Sequence, residues 1–434
     1  MPKSLLLIGA DRHVLRACGD LGIDVTVVYG TSAKEFGLPP FPDEARHVYV
    51  EDQQNIDSIL TGLYREGLGA YPFDAVYTSD EGAVIASAAV GRHFGTRAIS
   101  MKTAVNFRDK SVQKQIVRNA GIRTARFEVI PDVTSLADDW VFPFESAVVK
   151  PIAGAATALT YKVGSRADIE QVAERVRNSR TPQRTFLLED FNQGQEWQVD
   201  GVVHDGELLF LSVGRYGDPF LTVVTEQKPP SMRKYDPVSE SWAYDLATPL
   251  VRGALKALEL DSGIFHMELF HDATQNLLAF GECAARRGGG LTEEEVFHKF
   301  GVSLSRCAVQ STLGQVPEIS PSVRSATVGS IVLPIVEGTL LSCPSAEEIS
   351  TLPGAVFAKI DLPVGYVMPE VAQNTVVKLG MVILEADSPA DLWKRLDEVL
   401  AWFHERLVVI PARVTPSQLR TWEQGICVTR RSGA

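Results

Sequence analysis

The residues best suited to chemistry lie together between Phe265 and Gly290, FHMELFHDATQNLLAFGECAARRGGG. Two apolar runs flank Asp272-Ala273-Thr274-Gln275-Asn276, so the segment reads as a hairpin. Centring the turn near Gln275 sets Glu268 opposite Glu282. Like charges directly across two strands are destabilising, and two carboxylates in one site raise one pKa strongly, unless a cation lies between them. Magnesium takes one or two carboxylates and completes its shell with water and phosphate oxygens, and it suits this pair better than zinc, which wants His or Cys. His266 and His271 read as packing or capping residues. Standing alone, the two glutamates would read as solvated groups on an exposed hairpin.

They do not stand alone. Arg286 and Arg287 follow Glu282 by four and five residues, and Gly288-Gly289-Gly290 then leads into a helix for which Thr292 is the expected cap. Guanidinium groups and free backbone N–H groups there would form an anion site beside the metal. A metal ion, an arginine and a Gly-rich loop together suit phosphoryl transfer, which needs charge neutralisation more than covalent help from the protein. A second cation is oddly placed. Asn106 to Asn119 reads as a polar helix opened by Asp109 and ended by Gly121, which puts Lys110 in a first turn, where the helix dipole disfavours a cation unless an anion comes with it.

Around these residues the chain has 434 positions, room for about three domains. With 45% hydrophobic and 22% charged residues it can bury a sizeable core. The net charge of −12 removes the field that would attract nucleic acid or an anionic membrane, so any phosphate must be held by a local site. Cys18, Cys283, Cys307, Cys343 and Cys427 show no metal-binding spacing, and their odd number argues for a reducing cytosol. The run Leu5 to Ala10 is too short for a signal-peptide core and no stretch reaches a membrane span, so a cytoplasmic protein is expected.

Strand, helix and strand alternate through the first hundred residues, which predicts a parallel α/β sheet. Gly9-Ala10-Asp11-Arg12 lacks the glycines of a dinucleotide fingerprint, so Gly9 reads as a tight turn. Further on, strands are expected at Phe144 to Lys150, Thr160 to Val163 and Thr185 to Phe191, with a helix at Ala167 to Asn178. Asp205-Gly206 marks a hairpin turn between Glu196 to His204 and Glu207 to Val213. Leu221 to Asp236 reads as a polar mobile loop near a site. Short strands at Thr327 to Val336, Ala355 to Leu362 and Val376 to Glu385 precede a helix, Pro389 to Phe403, capped by Ser388.

Asp109-Lys110, Val148-Val149-Lys150-Pro151, Leu188-Glu189-Asp190-Phe191, Gly194-x-Glu196-x-x-x-Asp200, Glu268 and Glu282-x-x-x-Arg286 resemble, in order, the motifs of the ATP-grasp superfamily. The resemblance is closest to its carboxylate–amine (amino acid) ligases and biotin carboxylase-like members. It implies an α/β and α+β protein: a Rossmann-like preATP-grasp domain at 1–99, an ATP-grasp domain at 100–300 with a hinge near 189–192, and an α+β domain at 301–434 that completes the substrate pocket. Lys110 and Lys150 would hold ATP phosphates, with Gly154 and Thr157 on the phosphate loop. Glu189, Asp190 and Phe191 would read the adenine edge through backbone groups, and Glu196 would accept from the ribose. Glu268 and Glu282 would bind one or two magnesium ions, and Arg286 would stabilise the acyl phosphate. Two departures stand out. Gly154-Ala155-Ala156-Thr157-Ala158 keeps one glycine where the family's loop has several, and Ala284 replaces the usual asparagine ligand.

The reaction implied is attack of a substrate carboxylate on ATP to give ADP and an acyl phosphate, which an amine opens to an amide. Arg287 and Gly288 to Gly290 would take a substrate carboxylate, and the strand around Tyr161 with the loop 221–236 would form a lid. Small-molecule carboxylates and amines are the expected partners. A carrier protein as acceptor and a homodimer are compatible with the resemblance. Two other readings stay open: a biotin carboxylase-like enzyme, for which no Ala-Met-Lys-Met carrier motif occurs in the chain, and a nucleotide-binding protein without catalysis.

Overall fold

Strands of a parallel sheet covered by helices are buried on both faces and therefore read as continuous apolar runs. In the computed structural model, which describes residues 2–31, 45–154, 157–179, 181–368 and 378–410, the run Ser4–Ile8 lies between Asp24–Tyr29 and Ala75–Thr78, and Arg46–Tyr49 completes a four-stranded sheet. Its pairings are all parallel. Leu5 to Ile8 are fully buried. The helix Arg12–Leu21 starts at Asp11, whose Oδ1 accepts from the N–H groups of His13 and Val14. Asp11 and Glu81 follow the carboxyl ends of adjacent parallel strands, where open α/β sheets present groups to ligands.

The chain falls into two compact units: Met1–Ala155, Leu159–Gly214 and Pro237–Val323 make the first, and Ala156–Ala158, Arg215–Asp236 and Arg324–Ala434 the second. The first also holds an antiparallel sheet of Phe127–Ile130, Phe186–Asp190, Ala147–Pro151 and Tyr161–Val163, in that order. The helix Arg166–Asn178 buries Ile169, Val172 and Val176 in the same core as Val149 and Leu188. A further run of strands goes from Leu277–Ala284 through Gly263–Asp272 and Gln195–His204 to Glu207–Tyr216. Asp205 and Gly206 turn the last two with φ of 49° and 77°, the left-handed pair of a tight hairpin. In the second unit Ser231–Lys234, Thr327–Leu333, Gly380–Ala386 and Ala355–Ile360 pair antiparallel. The helix Pro389–Arg406, capped by Ser388, buries Leu392, Leu396, Val399 and Phe403 in the core of that unit.

Three sequence expectations change. The helix expected from Asn106 is two helices, Met101–Arg108 and Lys110–Asn119, separated by Asp109 in an extended conformation. Asp109 does cap the second, accepting from Ser111 and Val112. The segment Leu221 to Asp236 is not an irregular loop, for it contains the helix Phe220–Thr225 and the strand Ser231–Lys234. Thr292 is the first helical residue of Thr292–Phe300 rather than its cap, and its hydroxyl donates to the Gly289 carbonyl at 2.8 Å. Ala155, Ala156, Val376 and Cys427 lie outside the described residues.

The helix Lys110–Asn119 buries Lys110, Gln113, Lys114 and Val117, one helical face that is mostly polar. That face needs polar partners, and the edge strand Leu277–Ala284 supplies some. Gln113 donates from Nε2 to the Cys283 carbonyl and accepts at Oε1 from the Cys283 N–H, both at 2.7 Å. A side-chain amide thus makes the two bonds that a neighbouring strand would make, which closes the edge. Gln113→Leu leaves a buried N–H and C=O without partners and should lower unfolding stability by about 2–4 kcal/mol. Denaturant titration checks this, and an unchanged midpoint would show that the edge does not depend on Gln113.

Candidate functional site

Glu268 and Glu282 are register partners across the hairpin, as the turn-centred reading expects. A register shift follows Glu268, with Leu269 opposite Phe280. A bulge at Gly281 therefore sets the pair; a Cβ on Gly281 would come within 2.8 Å of the Glu268 carbonyl. On the neighbouring strand Gln198 is the partner of Glu268, Asp200 of His266 and Glu196 of Phe270. The period of two puts Glu196, Gln198, Asp200, His266, Glu268 and Glu282 on one face.

At Glu282 the charge is met by lysines, while Glu268 lies 3.9 Å from His266 Nε2. Lys150 Nζ lies 3.1 Å from Glu282 Oε2 and 3.0 Å from Glu189 Oε1. Lys110 Nζ lies 3.4 Å from Glu282 and 3.7 Å from Glu81. Lys114 Nζ lies 3.0 Å from Glu189 Oε2 and donates to Thr124 Oγ1 at 3.2 Å. Burial opposes the charge on Glu282, but Lys110 and Lys150 outweigh it and hold its carboxyl below the ordinary range. Glu189 is likewise lowered against burial by Lys114 and Lys150. Burial drives Lys114 down, against the pull of Glu189. The first-turn position of Lys110 is thereby explained, since its anions are Glu282 and Glu81.

Glu81 extends the chain of ion pairs to Arg286, with which it forms a short ion pair, and to Arg108 at 3.7 Å. Five cations (Arg108, Lys110, Lys114, Lys150, Arg286) meet three carboxylates (Glu81, Glu189, Glu282) in this contiguous set. Two positive charges remain over. Arg287 takes a different partner, Asp11 Oδ2 at 2.7 Å. The glycine segment passes over His266: the Gly288 N–H donates to Asp200 Oδ1 at 3.0 Å, and the same oxygen is 2.9 Å from His266 Nδ1. A Cβ on Gly288 would come within 2.7 Å of that ring nitrogen, so only glycine fits. Burial disfavours the His266 imidazolium, yet Asp200 and Glu268 raise its pKa to about 9.

The remaining sequence candidates are less uniform. Glu196 is buried on its strand. Asp190 is held by Arg126 at 2.7 Å, and Phe191 lies under Lys162 Nζ, 4.0 Å from the ring centre. The Gly154 carbonyl accepts from Arg108 at 2.9 Å and from Lys110 at 3.4 Å. Thr157 groups with the second unit. The sequence reading missed Glu81, Arg108, Lys114, Asp11, Asp200 and His266 as site residues. For Asp11 and Glu81 the signal was their place after parallel strands; for Lys114 it was the four-residue step from Lys110 on one helix face.

Among the described residues no group of three or more His, Cys, Asp or Glu is arranged to hold a metal. Two facing carboxylates without a cage fit magnesium, which keeps waters and shares phosphate oxygens, and Glu268 and Glu282 are the residues that would hold it. Its chemistry when bound would be to neutralise charge on phosphate oxygens.

Parallel sheet, antiparallel sheet and carboxylate-bearing hairpin together form the ATP-grasp fold, as found in carboxylate–amine ligases and biotin carboxylase-like enzymes. No family model matches the chain. An L-arginine-specific L-amino acid ligase of Bacillus subtilis is 24% identical over 339 residues, 76% of this chain and 80% of that protein. The crystal structure of an L-amino acid ligase from Bacillus licheniformis superposes with a TM-score of 0.74 at 21% identity, covering 95% of this chain and 99% of that one. A carboxyaminoimidazole ribonucleotide synthase of Aspergillus clavatus complexed with ATP gives 0.67 at 17% identity, covering 93% and 99%.

The lowered pKa of Glu189 means that its contribution to stability is complete above the ordinary value of 4.5 and is lost as pH falls through the folded-state value. Glu189→Gln strands Lys114 in the interior and should cost about 3–5 kcal/mol at neutral pH. It should also flatten the fall in stability below pH 4.5. Denaturation midpoints of both proteins across the acid range test both points.

Proposed function

We propose that this protein is an ATP-dependent carboxylate–amine ligase that joins an amino acid, or a similar carboxylate, to an amine. The observation that carries the reading is the surplus of buried positive charge around Glu282, which calls for an anion of phosphate type. The likeness to two L-amino acid ligases supports amino acids as substrates. A carboxylate oxygen attacks the γ-phosphorus, the bond to ADP breaks, and an acyl phosphate forms. The amine then adds to the acyl carbon, phosphate leaves, and the amine proton passes to solvent.

Lys110, Lys150 and the backbone at Gly154 hold the phosphates. Glu189 acts through its backbone with Asp190 and Phe191 at the adenine, because its carboxylate is engaged by two lysines. Glu196 takes the ribose. Glu268 and Glu282 hold one or two magnesium ions, Ala284 offering no ligand atom for another. Arg286, oriented by Glu81, faces the acyl phosphate, while Arg287 and Gly288 to Gly290 receive the substrate carboxylate. The three-part division at 1–99, 100–300 and 301–434, a cytoplasmic location, a homodimer and a carrier-bound acceptor belong to the same reading.

A screen of amino acids, singly and in pairs, with ADP release as readout should find productive pairs. Glu282→Gln and Arg286→Ala should each lower turnover at least about a hundredfold per folded molecule, the folded fraction of each variant being fixed by its denaturation midpoint. Normal rates in both variants would remove the hairpin from the site. ADP release with bicarbonate and free biotin, and with no amino acid pair, would favour the carboxylase reading instead.

A further inference from the structure

Arg108 and Lys110 belong to two different helices, Met101–Arg108 and Lys110–Asn119, because Asp109 between them is extended, with φ −93° and ψ 108°. Two residues apart on one helix, their side chains would point away from each other, whereas across an extended residue they point to the same side. Both reach one acceptor. Arg108 Nη1 donates to the Gly154 carbonyl at 2.9 Å, and Lys110 Nζ donates to the same oxygen at 3.4 Å. The two cations also share Glu81, each standing 3.7 Å from its Oε1. The two carbonyls before Gly154 need neither side chain: that of Ile152 accepts from the Lys110 backbone N–H at 2.8 Å, and that of Ala153 from Gln183 Nε2 at 3.0 Å. At Gly154 alone of the three does a phosphate-site lysine side chain serve as a donor to the loop.

The two cations are not held alike. Hydrogen bonds from a charged donor close to about 2.7–2.9 Å when well made. Lys150, Lys114 and Arg108 each have a partner at 3.0 Å or less. Lys110 Nζ stands among Gly154, Glu282 and Glu81 with no contact closer than 3.4 Å. It is therefore the cation most easily drawn to an arriving phosphate. When it goes, Glu282 keeps Lys150 and Glu81 keeps Arg286, while the Gly154 carbonyl keeps Arg108. Resting on the ligase reading, we propose that Arg108 is a positioning residue of the phosphate site: it takes over the Gly154 carbonyl and Glu81 and so releases Lys110 to the ATP phosphates. Arg108 itself does not touch the nucleotide. Without it, Lys110 stays engaged by the carbonyl and by Glu81, and the phosphates lose a cation.

Calorimetric titration of the full chain, with magnesium present, by the β,γ-imido analogue of ATP and separately by AMP tests this. Arg108→Met keeps the aliphatic stem and drops the guanidinium. It should weaken the analogue at least about tenfold and AMP less than about twofold, since the lysine is lost to the outer phosphates only. In a Lys110→Met background the same change should weaken the analogue less than about twofold, because there is no lysine left to release. Should Arg108→Met fail to fold, Arg108→Gln replaces it, its shorter neutral amide being unable to serve both Gly154 and Glu81, and the same selective loss is expected. Equal losses for AMP and the analogue would make Arg108 a residue of the fold alone. A full loss repeated in the Lys110→Met background would put the guanidinium on the phosphate itself. Either result overturns the proposal, as does an unchanged affinity for the analogue. A wild-type chain that binds no analogue would overturn the ligase reading as well, so the two failures are distinguishable.

Discussion

A half-buried carboxylate held between two lysines is the interaction on which the rest of the structure depends. Taking either charge out of water costs several kcal/mol, and removing one partner leaves the other uncompensated. Glu282 is charged because Lys110 and Lys150 reach it from two different elements, a helix start and a strand. Those lysines are in turn placed by Glu81 and Glu189. The helix Lys110–Asn119, the strand Ala147–Pro151, the strand Phe186–Asp190 and the hairpin are thus tied at one point by charge as well as by packing.

The excess of cations in that set gives the site its direction. A network in exact balance would be a structural feature; two positive charges over are what the proposed phosphate site requires. The N-terminal sheet completes it from the other side, with Glu81 on Arg286 and Asp11 on Arg287. Asp200 fixes the glycine segment between them through the Gly288 N–H and His266. Both arginines are therefore held before any substrate arrives, which lowers the ordering that binding would otherwise require.

Much of the fold was legible because its elements obey local rules. Three of the four parallel strands announced themselves as apolar runs, Arg46–Tyr49 being the exception, Asp109 and Ser388 as caps, and Asp205-Gly206 as a left-handed turn. The pairing of Glu268 with Glu282 was also legible, although a bulge at Gly281 that the sequence reading did not anticipate is what sets it. The errors have a common cause. Apolar periodicity treats polar positions as solvent-facing, so it could not show that Lys110, Gln113 and Lys114 form the buried face of their helix. Similarly, Leu221 to Asp236 looked irregular because its strand Ser231–Lys234 buries Met232, Arg233 and Lys234 in a row, with no alternation to read.

The sequence by itself determined which chemical groups exist and which of them are local neighbours: the carboxylate pair of one hairpin, the arginines four and five residues beyond it, the capped helix that begins at Lys110. These follow from turn geometry and helical spacing, which act over a few residues. Only the tertiary structure decided that Glu282 meets lysines from 132 and 172 residues away. Long-range ion pairs arise from the packing of whole elements, and no local propensity encodes which charges that packing will bury together.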